Sequence, residues 1–253
     1  MKICSLVPGA TEVVAALGCQ HNLIGISHEC DFPPSLAQIP VMVRPRIESH
    51  HLSSAEIDQQ VGALLTAEAG LYELDETRFL AARPDLIIAQ ALCDVCAITP
   101  SQLERVVHAL SPPPRLLTLS PGRLDDILLD IETIGTAIGR EEAGTQLSAV
   151  LRSRLDTVRA TVGAQATRPR VACIEWLSPL YTAGHWVPDM VAAAGGIDVL
   201  AQAGTASRKM DWDTLTASEP EVIVLMPCGF TVPRTKAELA SMTAHPQWQH
   251  LSA

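Results

Sequence analysis

Aromatic residues are scarce in this chain: three Phe, two Tyr and four Trp make up 4% of 253 residues. Each Trp and Tyr is therefore worth locating individually. Positive charge is also thin, with 18 Lys and Arg against 28 Asp and Glu, a formal net charge of −10 and no dense basic run. A nucleic-acid binder normally carries a basic face, so that class is excluded. No apolar stretch approaches the roughly 18 residues of a membrane span, which excludes membrane insertion. Met1-Lys2 leads straight into the short apolar run Ile3–Val7, without the longer apolar region and small-residue cleavage site of a signal peptide. No lipoprotein-type cysteine follows an apolar leader. As given, the chain reads as cytoplasmic; it reads as periplasmic if a leader has been removed.

Enzyme signatures are missing as well. The sequence has no Gly-x-Ser-x-Gly elbow, no phosphate-binding Gly-rich Lys loop and no His-Glu-x-x-His helix. His50-His51 reads as a surface pair. The expectation is a protein that is not an enzyme and has no catalytic residues. Cysteines number seven, so at least one is unpaired, and a disulfide framework is not expected in a chain this size. Cys4, Cys19 and Cys173 sit inside apolar patterns, as small hydrophobes do. Cys30, Cys93, Cys96 and Cys228 instead follow strands.

The hydrophobic fraction, 47%, is that of a globular protein with a real core. Five apolar strand-like runs break off in polar or unusual residues. Lys2–Val7 enters Pro8-Gly9-Ala10-Thr11-Glu12, and Leu23–Ile26 enters Ser27-His28-Glu29-Cys30-Asp31. Leu86–Ala89 enters Gln90 and then Cys93-Asp94-Val95-Cys96. Val171–Ile174 enters Glu175-Trp176, and Val222–Met226 enters Pro227-Cys228-Gly229-Phe230. In open parallel α/β sheets, ligands bind beyond the carboxyl ends of the strands, so these breaks describe one shared site.

Helical periodicity fills the intervals. Thr11–Leu17 ends at Gly18, and Ala55–Ala69 follows Ser53-Ser54 with Glu56 in its first turn. Thr77–Ala82, Gln102–Leu110 and Leu124–Ile138 follow, the last with Leu124, Ile127, Leu128, Ile131 and Ile134 in step. Glu141–Val162 is helical for about six turns. It is long for a crossover and reads as a rigid connector. The expected architecture is α/β: two Rossmann-like lobes joined by a long rigid helix, with a ligand cleft between them. The N-terminal lobe spans 1–139, the connecting helix 140–166 and the C-terminal lobe 167–253.

Each chemical cluster has more than one reading. Pro8-Gly9-Ala10-Thr11 opens a helix and offers backbone N–H groups to an anion or amide oxygen, or else is a strand-to-helix turn with Thr11 near the cap. His28, Glu29, Cys30 and Asp31 supply four potential metal ligands, and His28 can also serve as an axial ligand to a macrocyclic metal. The alternative is a polar loop with Asp31 as a cap. Cys93 and Cys96, two residues apart, can be a redox couple or half of a zinc site, completed by Cys30 and Cys228 or by His28 and His185. Zinc or an iron–sulfur cluster would suit such thiolates. Glu175-Trp176, Tyr181 and His185-Trp186 gather the scarce aromatics, as pockets for large planar ligands do, or pack in a core. Trp212 and Trp248 read as packing residues. Arg44 and Arg46 either hold ligand side groups or are solvated.

These residues also carry a resemblance. Val7–Glu12 with its helix, Ile24–Pro34, Arg83–Ile88, Ala194-Gly195-Gly196 and Glu219–Val224 are similar to segments of the helical-backbone, class III, substrate-binding proteins of importers for cobalamin and iron–siderophore complexes. The likeness runs from Lys2 to about Leu251. His28–Asp31, Leu92–Ala97, Ala183–Pro188 and Pro227–Phe230 resemble the cobalamin-binding subgroup. Family members carry an export signal. They also continue past His245–Trp248 with a further strand, loop and helix, so the second lobe here is expected to be shortened.

The resemblance implies a binding protein for a corrinoid or related metal-tetrapyrrole, with no required cofactor and linked to ABC-type uptake or intracellular handling. Trp176, Tyr181 and Trp186 would cover the ligand, with Phe230 beside them, and His28 or His185 would polarise or ligate it. Pro8–Thr11, Arg44 and Arg46 would hold its side groups, joined by Glu29, Gln90 and Glu175. An ABC permease is the implied partner, met through acidic residues such as Glu76 and Asp213. The rival reading is a cytosolic metal-binding or redox protein that uses Cys30, Cys93, Cys96 and Cys228 on the same scaffold. A third is a scaffold for a small metabolite other than a corrin.

Overall fold

The structure is a computed structural model that describes residues 1–67, 70–92, 98, 100–163, 167–251 and 253. The chain divides into two compact units. The first comprises Met1–Glu48, Val61–Ser120 and Ile127–Val150, and the second Ser49–Gln60, Pro121–Asp126 and Leu151–Ala253.

Strand and helix alternate through the first half: β1 (Ile3–Ser5), α1 (Pro8–Ala16), β2 (Leu23–Ser27), β3 (Val41–Pro45), α2 (Ser54–Thr66), β4 (Tyr72–Leu74), α3 (Glu76–Ala82), β5 (Leu86–Gln90), α4 (Pro100–Ala109), β6 (Arg115–Leu119), α5 (Leu124–Ala137) and α6 (Glu141–Gly163). The first unit's sheet has the order β4-β3-β2-β1-β5-β6. Its strands are parallel apart from β4, which runs antiparallel to β3. Strands buried on both faces read as continuous apolar runs rather than alternating ones, and β1 and β5 do so. Ile3, Leu86 and Ile88 face a cluster with Val14 of α1 and Ile134 of α5. Cys4 and Ile87 face the opposite cluster with Phe79 of α3 and Leu103 of α4. Each such aliphatic or Phe side chain contributes about 1.5–3 kcal/mol by leaving water.

From β1 the chain steps to β2 and β3 on one side, then crosses to β5 on the other. The order of strands therefore reverses between β1 and β5, where α/β sheets open a crevice at their carboxyl edge. α1 starts in that crevice. Pro8 stands in its first turn, where the missing N–H costs nothing. Its N-cap is Val7, without a side-chain cap; Thr11 lies within the first turns of the helix, and its Oγ1 is 3.0 Å from Val7 O. Asp31 caps no helix either; the short turn Pro34–Gln38 that follows it lacks a side-chain cap.

The second unit adds β7 (Arg170–Leu177), β8 (Leu180–Thr182), α7 (Val187–Ala193), β9 (Ile197–Asp198), β10 (Lys209–Met210), α8 (Trp212–Ala217), β11 (Val222–Leu225) and α9 (Val232–Thr243). Its sheet has the order β10-β8-β7-β11, with β9 pairing β7. β11 and β9 run parallel to β7, whereas β8 and β10 form antiparallel ladders. The sequence reading contains the strands β7 and β11 but not β4, β8, β9 or β10, which are two or three residues long and too short for a periodic signal. Trp212 and Trp248 pack against the cluster of Ile174, Leu215 and Met242, as expected of packing residues. Among the described residues, no helix is long and apolar enough to cross a membrane.

Candidate functional site

The carboxyl edge of the first unit's sheet collects side chains from four strands. At the start of α1, Gly9 is exposed, and a Cβ built on it meets nothing within 4 Å. Ala10 and Thr11 point the other way, into the protein, at 3% and 0% exposure. The Thr11 hydroxyl oxygen lies 2.8 Å from Ser5 Oγ and 3.1 Å from Cys30 Sγ, within hydrogen-bond reach of both. Thr11 and Cys30 thus fasten the β2 loop beneath α1. Burial pushes the Cys30 thiol up, against the opposing effects of Thr11 and of the Ser27 backbone.

His28 follows β2 and is half-buried. Its backbone N–H donates to Val43 O at 3.1 Å. Its ring lies 5.8 Å from that of Tyr72, Nδ1 is 3.3 Å from Ser27 Oγ, and Nε2 is 3.2 Å from Glu29 Oε1. Arg44 and Arg46 are exposed at the end of β3, which pairs with β4 so that Arg44 lies opposite Glu73. Gln90, half-buried, closes β5 on the far side of the strand-order reversal. Because β1, β2, β3 and β5 are parallel, Pro8, Gly9, His28, Arg44, Arg46 and Gln90 share one edge. Tyr72 and the exposed Phe32 (59%) stand at the same edge, unread from the sequence. Tyr72 enters through β4, whose antiparallel pairing no local pattern announces.

In the second unit the bulge between Ile174 and Trp176 re-aims the end of β7, and Trp176 pairs with Tyr181 of β8. The Trp176 indole N–H donates to Ser54 O at 3.1 Å, and its ring meets Phe230 edge-on at 5.4 Å. Phe230 arrives through the turn Pro227–Phe230, in which Gly229 takes φ 72°, a left-handed backbone that glycine adopts without strain. The Cys228 N–H donates to Glu175 O at 3.2 Å and ties this turn to β7. The Arg234 guanidinium lies 3.7 Å above the Phe230 ring and donates to Ser49 O and Leu52 O, at 2.7 and 3.0 Å. Burial, with the Asp58 carboxylate nearby, pushes the Tyr181 phenol up, so it remains a protonated donor. Trp176, Tyr181 and Phe230 are therefore brought together.

His185 and Trp186 form a separate pair, their rings 6.0 Å apart. Trp186 packs on the cluster of Cys173, Val187 and Val191, so part of its ring serves the core. His185 takes φ 54° at a turn clamped to the next loop by its N–H to Thr205 O, 2.6 Å, and by Gly204 N–H to its own carbonyl, 2.9 Å. The neighbouring Gly184 permits this contact: a Cβ there would come within 2.3 Å of Ser207 N.

Of the thiol set, Cys93 and Cys96 lie outside the described residues. Cys30 is buried in the first unit and Cys228 exposed in the second. Among the described residues, no three His, Cys, Asp or Glu side chains converge to hold a metal. Glu76 pairs with Arg105, and Asp213 with the amide of Gln247; both acids are exposed.

A parallel sheet with a strand-order reversal, helices on both faces and its unusual residues at the carboxyl edge is the framework of a ligand-binding α/β protein. The family model "Periplasmic binding protein" matches residues 3–253, and the chain belongs to that family. Among curated relatives, the vitamin B12-binding protein of Vibrio cholerae serotype O1 is 23% identical over 226 residues, which cover 88% of this chain and 69% of the relative. Two solved structures are similar in fold across 100% of this chain. One is the periplasmic vitamin B12 binding protein of V. cholerae, with TM-score 0.68, 21% identity and 83% of that chain covered. The other is a periplasmic heme binding protein from Pseudomonas aeruginosa, with TM-score 0.72, 19% identity and 80% covered.

Proposed function

We propose that this protein captures a corrinoid of the cobalamin type, without catalysis, for an ABC-type importer. The observation that carries the reading is the edge at the β1/β5 reversal. There the N-terminus of α1, His28, Arg44, Arg46 and Gln90 offer N–H donors, an imidazole, guanidinium groups and an amide within one unit. A corrin rimmed with amide side chains needs such a set of donors and acceptors, and an imidazole suits its metal. Within the second unit, Trp176, Tyr181 and Phe230 form an aromatic cluster of the kind that planar ligands stack on. The vitamin B12-binding relatives support the ligand class. The heme-binding neighbour makes haem the natural competitor.

Delivery to an importer implies a membrane permease as partner, and the exposed carboxylates Glu76 and Asp213 are candidates for that contact. The thiol-based alternative has weaker support, because Cys30 is buried with its thiol held by Thr11 and pushed toward the protonated form.

The decisive experiment is calorimetric titration of the purified protein with cyanocobalamin and, separately, with hemin. Metal analysis and an absorption spectrum of the untreated protein accompany it. Saturable 1:1 binding of cyanocobalamin, weakened at least tenfold by His28→Ala, is expected. Stoichiometric zinc or iron with no cobalamin binding would overturn the proposal in favour of the cysteine reading; hemin binding alone would move it to haem.

A further inference from the structure

Three consecutive side chains at the end of β2 are arranged on one another. Ser27 is buried, and its Oγ lies 3.3 Å from His28 Nδ1 and accepts the Glu29 N–H at 3.5 Å. On the other side of the ring, His28 Nε2 lies 3.2 Å from Glu29 Oε1. The backbone around them is closed by Cys30 N–H to Ser27 O and Asp31 N–H to Glu29 O, both at 3.1 Å. The His28 side chain is 20% exposed and that of Glu29 59%, so a ligand at this edge can reach the pair while Ser27 stands behind it.

These neighbours decide which ring nitrogen carries the proton. In a neutral imidazole one nitrogen is a donor and the other an acceptor. A bare lone pair on Nε2 would face a carboxylate oxygen at 3.2 Å and be repelled, whereas an N–H there is attracted. The Ser27 oxygen already accepts the Glu29 N–H, which leaves its own hydrogen for Nδ1. His28 therefore presents Nε2–H outward, and a protonated nitrogen has no lone pair for a metal. What the pair offers a ligand is a donor and an anionic acceptor side by side.

We propose that His28 and Glu29 read a primary carboxamide on the ligand's rim, with Ser27 as the positioning residue that fixes the imidazole. The inference rests on the corrinoid reading and decides how His28 serves it: through an N–H and not through the metal. His28 Nε2–H meets the amide oxygen, and the Glu29 carboxylate accepts the amide N–H. A carboxylate in place of that amide has no hydrogen to give and meets the like charge of Glu29. The pair thus selects an amidated macrocycle over one rimmed with carboxylates.

The first test uses the full chain without ligand, at about pH 8, above the ordinary imidazole range near 6.5. Long-range proton–nitrogen correlation spectra report the protonated ring nitrogen of His28, assigned by the signal lost in His28→Gln. The proton is expected on Nε2; a proton on Nδ1 overturns the proposal. The second test measures affinity by calorimetry for cyanocobalamin and for its separated monocarboxylic acids, each with one rim amide hydrolysed. One isomer should bind about tenfold more weakly than cyanocobalamin or worse, and Glu29→Gln should reduce that ratio to about threefold or less. Aquocobalamin, whose axial water an imidazole can replace, should bind with its cobalt absorption bands unchanged. Equal affinity for every isomer, a ratio that persists in Glu29→Gln, or a band shift that His28→Ala abolishes overturns this proposal and leaves the corrinoid reading standing. Failure of cyanocobalamin itself to bind overturns the corrinoid reading, and this proposal with it.

Discussion

Gly9 and Thr11 stand two residues apart at the start of α1 and do opposite things. Space around Gly9 is open and its backbone is ordinary, so folding does not demand glycine there. If a ligand approaches the α1 N-terminus closely, a methyl group will obstruct it. Gly9→Ala should therefore leave the denaturation midpoint unchanged or slightly raised, since Ala is the better helix former by up to about 1 kcal/mol, and should weaken cyanocobalamin binding. Thr11 is the reverse case. Thr11→Val removes a buried hydroxyl from Ser5 and Cys30 and is expected to cost about 1–3 kcal/mol in urea unfolding. The contrast shows what sequence reading could reach. Pro8–Thr11 is legible as a strand-to-helix turn on a ligand-bearing edge. That Thr11 faces inward depends on the β2 loop returning Cys30 beneath it, which no local pattern contains.

The buried thiols argue at the same scale. Burial first, and the Asp198 charge second, push Cys173 up to about 11, and burial raises Cys4 and Cys30 as well. Unfolded thiols ionise near pH 8.5, while the folded ones keep their protons. Their contribution is thus fully present at neutral pH and is lost as pH rises from about 8.5 toward 11. The urea midpoint should fall over that window, measured under reducing conditions. In the native protein at about pH 8, where the thiolate is the reactive form, iodoacetamide should alkylate Cys228 and spare Cys4, Cys30 and Cys173 by mass spectrometry. Labelling of Cys30 as fast as Cys228 would contradict the burial.

At the scale of elements, α2 is the informative one. Ser53 and Glu56 form a reciprocal cap, with Ser53 N–H to Glu56 Oε2 at 2.8 Å and Glu56 N–H to Ser53 Oγ at 3.3 Å. The spacing Ser53-x-x-Glu56 makes that cap readable in the sequence. A second clasp is invisible there: Glu238 of α9 accepts from Ser54 N–H at 2.9 Å and from Ser54 Oγ at 2.6 Å, across 184 residues. A carboxylate at a helix N-terminus also complements the dipole. Arg234, one turn earlier on α9, holds Ser49 O and Leu52 O. Together these bonds bring Ser49–Gln60 into the second unit. They also set Ser54 O where the Trp176 indole donates to it. Glu238→Ala should lower stability by about 1–2 kcal/mol, the loss of a partly buried cap, and should redden and quench Trp fluorescence as Trp176 loosens. Unchanged stability with unchanged emission would mean the clasp holds nothing.

For the whole molecule, the charge balance bears on the choice between corrinoid and haem. A net charge of −10 repels an anion at distances within the Debye length, roughly 8–10 Å near physiological salt. Haem brings two carboxylates, whereas a cobalamin presents mostly neutral amides. Haem binding would have to be won locally, at Arg44, Arg46 or the start of α1, against the field of the rest of the protein. Neutral amides need the same donors but feel little of that field. Cyanocobalamin affinity should thus stay within about twofold between roughly 0.05 and 0.5 M NaCl, because neutral hydrogen bonds are weakly screened. Arg44→Gln should lower that affinity modestly at both salt concentrations. If affinity instead falls steeply with salt and Arg44→Gln abolishes the dependence, the arginines are meeting carboxylates. The preferred ligand is then the anionic macrocycle.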